Sequence, residues 1–258
     1  MSLTANDLND LKRAKSLLDN PGLAAKLTNL IGLPIEKGFE LLPKNWSKSI
    51  GEITKTALMK AAKVSTFTMK NTPGEGASNI IHKLAVAASG GIGGFFGLPA
   101  LAVELPISTA IMLRSIADIA RSEGENINNI ETKAACIEVF GLGGRSGHDD
   151  ATESGYFAVR SALARAVSES AESTVGKGLK EGAPALVRLI IRVAERFNIQ
   201  VSEKAAAQAI PAIGAAGGAL INTLFIDHFQ DMARGHFIVR RLESKYGNDL
   251  VKETYMNC

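Results

Sequence analysis

Three groups of residues in this chain have types and spacings that could do chemistry. In "AVELPISTAIMLRSIADIA", Glu104 is followed by Arg114 and Asp118, which recur near one helical face at three- and four-residue steps. Arg114 and Asp118 are four apart, within pairing reach on a helix. An arginine–aspartate pair on so apolar a face needs further polar partners from a facing helix. In "INTLFIDHFQDMARGHFIVRR", Asn222, Asp227, His228, Asp231, Arg234 and His236 share one helical segment. His228 and Asp231, three apart, are spaced to share a metal ion, whereas His236 sits more than two turns further along. In "FGLGGRSGHDDATES", Arg145, Asp149 and Asp150 belong to a glycine-dense loop that feeds a helix start. Backbone N–H groups in such a setting cradle anions. The Gly-Lys-Ser/Thr ending of a nucleotide loop is missing, however, and Asp149 and Asp150 repel a phosphate unless a cation intervenes.

Taken as one constellation, Glu104, Asp118, His228 and Asp231 suit metal-assisted hydrolysis, as ligands or as acid–base groups. The competing reading of Glu104 is structural. Pro106 fits the first turn of a helix, which places Glu104 at the helix start, where a carboxylate caps free N–H groups. Other reaction classes are excluded by what is missing. There is no HExxH and no GxSxG. Neither Cys136 nor Cys258 has a basic neighbourhood that would activate a thiolate. The residues allow a divalent metal but demand no cofactor, and the balance leans away from an enzyme.

The elements that must position these groups are helices. No sustained two-residue alternation marks a strand, while three- and four-residue apolar spacing recurs throughout. The expected fold is all-α: a compact bundle around two central Gly/Ala-rich helices, with an N-terminal amphipathic arm over residues 1–76 and a helical core over 77–258. Helices are expected near 4–19, 22–42, 44–64, 131–141, 150–176, 180–198 and 222–246. In the 44–64 segment, Trp46, Ile50, Ile53, Ala57, Ala61 and Val64 form one stripe. Lys44, Lys48 and Lys55 lie opposite, a pattern that suits either a surface helix or one lying on a membrane.

Two uncharged runs dominate the core, 20 residues over 84–103 and 22 residues over 205–226. Both are long enough to span a bilayer but poor in Leu and Ile. Their glycines fall at packing intervals, Gly90 with Gly94, Gly93 with Gly97 and Gly214 with Gly218, so close helix packing is the favoured reading. A net charge of +3, evenly spread, argues against a nucleic-acid partner. Two cysteines without ligand-like spacing fit a reducing cytoplasm. The opening "MSLTANDLNDLKRAKSLL" has no signal-peptide pattern.

Three long blocks carry a family resemblance: "GGFFGLPALAVELPISTAIMLRSIADIARSEGE", "ACIEVFGLGGRSGHDDATESGYFAVRSALARAVSE" and "IPAIGAAGGALINTLFIDHFQDMARGHFIVRRLESKYG". Together they resemble the EcsC family of bacterial proteins, which is named for the third product of an operon whose other products form an ABC-type exporter. The resemblance implies a family without giving an activity; the first expectation for function is a non-catalytic accessory to transport or envelope processes at the cytoplasmic membrane face. The positions it carries over are Glu104, Arg114, Asp118, Gly143, Gly144, Arg145, Asp149, Asp150, Asn222, His228, Asp231, Arg234 and His236. The expected partner is a membrane surface or membrane protein, reached through Lys44, Trp46, Lys48 and Lys55 or through the apolar helices; self-association is a further option. A soluble delivered effector or binding module is the remaining alternative.

Overall fold

The computed structural model describes residues 2–19, 22–64, 97–143, 155–172, 183–210 and 214–258. Among these the chain is all-α, with ten α-helices and no strand. The helices are α1 (Ala5–Leu18), α2 (Leu23–Ile31), α3 (Glu36–Glu40), α4 (Trp46–Val64) and α5 (Gly97–Ser122). They continue as α6 (Ile130–Glu138), α7 (Gly155–Glu172), α8 (Ala183–Ala209), α9 (Gly214–Tyr246) and α10 (Asn248–Met256).

Local chemistry sets the ends. Thr4 caps α1: the Asp7 N–H donates to its Oγ1, which in turn donates to the Asp7 carboxylate at 2.6 Å. The single helix expected over 22–42 is two. Gly32 adopts φ 71°, a left-handed conformation open to glycine, and ends α2; Pro34 then delays the restart until α3.

The 33-residue α9 is the spine, about 50 Å long at 1.5 Å per residue. Asn222 reaches Glu104 and Gln230 reaches Ser115, so α5 runs parallel to α9. Lys204 near the end of α8 also reaches Glu104, so α8 runs antiparallel to both. Asp7 and Asp10 of α1 meet Lys245 and Arg241, while Gly235 lies so close to Leu18 that an added Cβ would sit 2.6 Å from Leu18 Cγ. Hence α1 runs antiparallel to α9, and the missing side chain at Gly235 permits the approach. Gly38 of α3 lies against the backbone carbonyl of Ala206, and Thr54 of α4 bonds Asn198 at 3.4 Å. So α4 begins at the same end of the bundle as α5 and α9. Leu11, Ala14, Leu27, Ile50, Ala57 and Leu58 are all core residues. The segment expected as an arm therefore helps to build the core; its expected boundary at 76/77 lies outside the described residues.

Four phenylalanine rings meet where α8 and α9 cross the turn after α6. Phe140, Phe197, Phe225 and Phe229 pack with centroids 4.8–6.0 Å apart. Of the two uncharged runs, residues 84–96 and 211–213 lie outside the described residues. What is described of both joins at the starts of α5 and α9, through Glu104 and Asn222.

Candidate functional site

Glu104 is not at a helix start. It lies seven residues inside α5, which passes through Pro106 without stopping. The proline removes one hydrogen bond, the one its N–H would have given the Ala102 carbonyl. Ala102 is exposed, so that carbonyl can be solvated, and buried neighbours on both sides, Leu101 and Leu105, hold the helix together. This depth is what gives Glu104 its partners. Lys204 donates to both carboxylate oxygens at 3.0 and 2.8 Å, and Asn222 Nδ2 donates to Oε1 at 3.2 Å. Lys204 has 0% exposure, and its ammonium sits 4.8 Å from the Phe225 ring centre.

The second polar station lies at mid-helix. His228 is buried against Gly143, whose φ of 74° and lack of Cβ let the backbone press on the ring; an added Cβ would lie 2.7 Å from Nε2. Among the described residues, neither ring nitrogen has a hydrogen-bond partner. Burial, helped by the nearby Lys26 charge, pushes the imidazole down to about 3, so it is neutral. Asp231, expected to share a metal with His228, instead pairs with Lys26 at 3.3 Å. Among the described residues, no three His, Cys, Asp or Glu cluster so as to hold a metal ion. Gln200 and Arg196 bond the carbonyls of Leu142 and Gly141, fixing the chain as it enters the glycine-rich loop. Arg145, Asp149 and Asp150 lie outside the described residues.

The third station surrounds His236, which is buried. Its Nδ1 is 2.9 Å from the Tyr156 hydroxyl, and its Nε2 is 3.9 Å from Glu138 Oε2. Burial pushes the Glu138 carboxyl up to about 7, with the Arg160 and Arg240 charges pulling it back. Burial also holds His236 well below its ordinary value. Arg160 links this group to the surface, donating to Tyr156 at 3.5 Å and to Glu243 at 2.7 Å. Outside it opens a cleft of about 660 Å³ between the α5–α6 connection, α7 and the end of α9.

Asp118 pairs with Arg121 at 2.7 Å, one turn on, in a buried setting. Arg114 and Arg234 are half-buried on α5 and α9. The candidates are thus strung along α9: Asn222 and His236 are 14 residues, about 20 Å, apart. Sequence reasoning does not single out Lys204, Glu138 or Tyr156. Lys204 did carry a signal, since Phe197, Val201 and Lys204 fall at four- and three-residue steps along an apolar stripe.

These features define a helical-bundle protein whose spine carries three buried polar stations, the first of them an ion pair. The chain belongs to the EcsC protein family, whose sequence profile it matches over residues 5–242 of 258. No curated protein and no solved structure matches it with significance.

Proposed function

We propose that this protein acts without catalysis at the cytoplasmic membrane face, docking the paired starts of α5 and α9 into the lipid interface as an accessory to transport or envelope processes. One observation carries the reading. The six large hydrophobic side chains exposed among the described residues fall in three segments: Leu30, Leu33 and Leu41; Val103 and Ile107; and Leu220. The last two segments meet where Glu104 bonds Asn222, and the first leads into α3, packed on Ala206 two residues beyond Lys204. Val103, Ile107 and Leu220 are 69%, 50% and 52% exposed, and all three belong to the end of the bundle where α5 and α9 begin.

Charge placement supports it. Between Pro99 and Leu113 the only charge is Glu104, and it is neutralised inward by Lys204 rather than displayed. Glu104 therefore presents no unpaired charge to lipid at this tip. Trp46, half-buried, and the exposed Lys44 and Lys48 stand beside the tip at the start of α4, with exposed Lys55 further along. Tryptophan and lysine suit the headgroup level. Among the described residues, Pro99–Ser122 is long and apolar enough to cross a membrane, but 56% of its most apolar window is buried in the protein, which favours shallow docking over crossing.

Flotation with anionic vesicles at low salt tests this. The protein is expected to co-float, and Val103→Glu with Ile107→Glu is expected to abolish co-flotation while leaving the fold intact, because both side chains are exposed. Changing Lys44, Lys48 and Lys55 to glutamine is expected to weaken binding by about two orders of magnitude, at roughly 1 kcal/mol per lysine near an anionic surface. A chain that stays at the bottom of the gradient, or whose Val103/Ile107 variant loses only self-association, contradicts the proposal.

A further inference from the structure

The charged end of α9 carries a second surface, about 30 Å along the helix from Asn222. Its cleft of about 660 Å³ falls within the size range of small-molecule sites, roughly 300–1,000 Å³. Its walls are built from ion pairs already closed on themselves. Arg160 pairs with Glu243 at 2.7 Å, Arg241 with Glu123 at 3.2 Å, and Arg240 with Glu125 at 2.8 Å and with the fourth wall carboxylate, Glu131, at 3.5 Å. We propose that this cleft binds an uncharged polyhydroxylated molecule of sugar or cyclitol size.

The ligand class follows from the alternation of fixed donors and fixed acceptors. A hydroxyl accepts and donates at once, so it can take a guanidinium N–H and give its own proton to the neighbouring carboxylate. An anion approaching any of these arginines meets the carboxylate bonded to it. A cation approaching any of these glutamates meets the guanidinium in the same way. A neutral polyol leaves each pair intact and adds no charge to be desolvated. Ser244 and Asn248, also on the wall, extend the same dual hydrogen-bonding character.

The site is preorganised. Each arginine is held by its carboxylate, and Arg160 is held a second time by the Tyr156 hydroxyl, which rests on buried His236. Binding therefore costs little side-chain ordering. The Arg160–Glu243 pair also borders an adjoining pocket of about 200 Å³, to which Phe157 and Ala164 contribute apolar surface. The C–H face of a sugar ring packs on such surface while its hydroxyls reach the ion pairs.

Isothermal calorimetry on the full chain tests the inference, with glucose, N-acetylglucosamine, trehalose and myo-inositol as probes and inorganic phosphate and spermidine as charged controls. At least one neutral probe is expected to bind saturably with Kd near or below ~1 mM. Ser244 is exposed, so Ser244→Trp fills the cleft without entering the core. That variant is expected to weaken binding at least ~10-fold while its melting curve and vesicle flotation stay unchanged. No saturable heat from any neutral probe up to ~10 mM overturns the proposal. So does tighter binding of phosphate or spermidine, or a Ser244→Trp variant with unaltered affinity. Because the readout is independent of vesicles, failure here leaves the membrane reading standing, and the reverse holds too.

Discussion

Lys204→Met is expected to destabilise the fold by about 3–5 kcal/mol, the usual consequence of stranding one half of a buried ion pair. The geometry makes Lys204 irreplaceable by water. Its side chain has 0% exposure, both Glu104 oxygens accept from it, and Asn222 is a further donor to Oε1. Without the ammonium, Glu104 must ionise in an apolar interior or take up a proton. The cost therefore belongs to the stranded carboxylate and not to lost packing, since methionine nearly matches the aliphatic stem. The double variant Glu104→Gln with Lys204→Met separates the two. It removes the charge while leaving an acceptor for Asn222, and most of the lost stability is expected to return, as when buried ion pairs give way to neutral groups. Urea titrations of the two single variants and the double variant measure this directly. A Lys204→Met cost below ~1 kcal/mol means that the pair is solvated after all.

Glu138→Gln is expected to stabilise the protein above neutral pH and to do nothing below about pH 4.5. In the folded chain, burial raises the Glu138 carboxyl from 4.5 to about 7, whereas the unfolded chain ionises at the lower value. Below pH 4.5 both states hold the proton and no difference arises. Between 4.5 and 7 the unfolded state releases a proton that the folded state keeps, so this group erodes stability as pH rises. Above about 7 the loss is complete, on the order of 3 kcal/mol. Glutamine has nothing to ionise and, like the protonated acid, can donate toward His236 Nε2, which lies 3.9 Å from Glu138 Oε2. The acid limb runs in the opposite sense and is shared by both chains. His228 and His236 stay neutral when folded but protonate near 6.5 when unfolded, so stability falls as pH drops below that value. The difference between variant and wild type thus isolates Glu138. Denaturation midpoints at pH 4.5 and pH 8 check it: a gap that is equal at both, or larger in acid, contradicts the assignment.

How much of this was legible beforehand differs by element. The all-α class and the polar character of α9 followed from spacing alone, because helical periodicity survives tertiary context. Glu104 is the instructive miss. Pro106 read as a helix start by local rules, but those rules weigh a single N–H, whereas packing of Leu101 and Leu105 holds the helix across it. Lys204 was hidden for a related reason. A lysine reads as surface unless its partner is known, and that partner lies 100 residues away. His228 and Asp231 have metal-ligand spacing, but Lys26, from a distant helix, claims the carboxylate. Spacing within one helix says which groups share a face; it does not say what the neighbouring helices bring to them.

For the proposed docking of the paired starts of α5 and α9 into the lipid interface, the protein carries its own reporter. Trp46 is the only tryptophan, half-buried at the start of α4 and packed on Phe39 with centroids 5.4 Å apart. Its fluorescence, titrated with anionic vesicles whose acyl chains carry bromine, reads proximity to the hydrocarbon edge. Docking through this end predicts quenching that saturates with lipid and disappears in the Val103→Glu, Ile107→Glu variant. Emission unchanged by brominated lipid, in a chain that nevertheless binds vesicles, contradicts it by placing the membrane contact elsewhere.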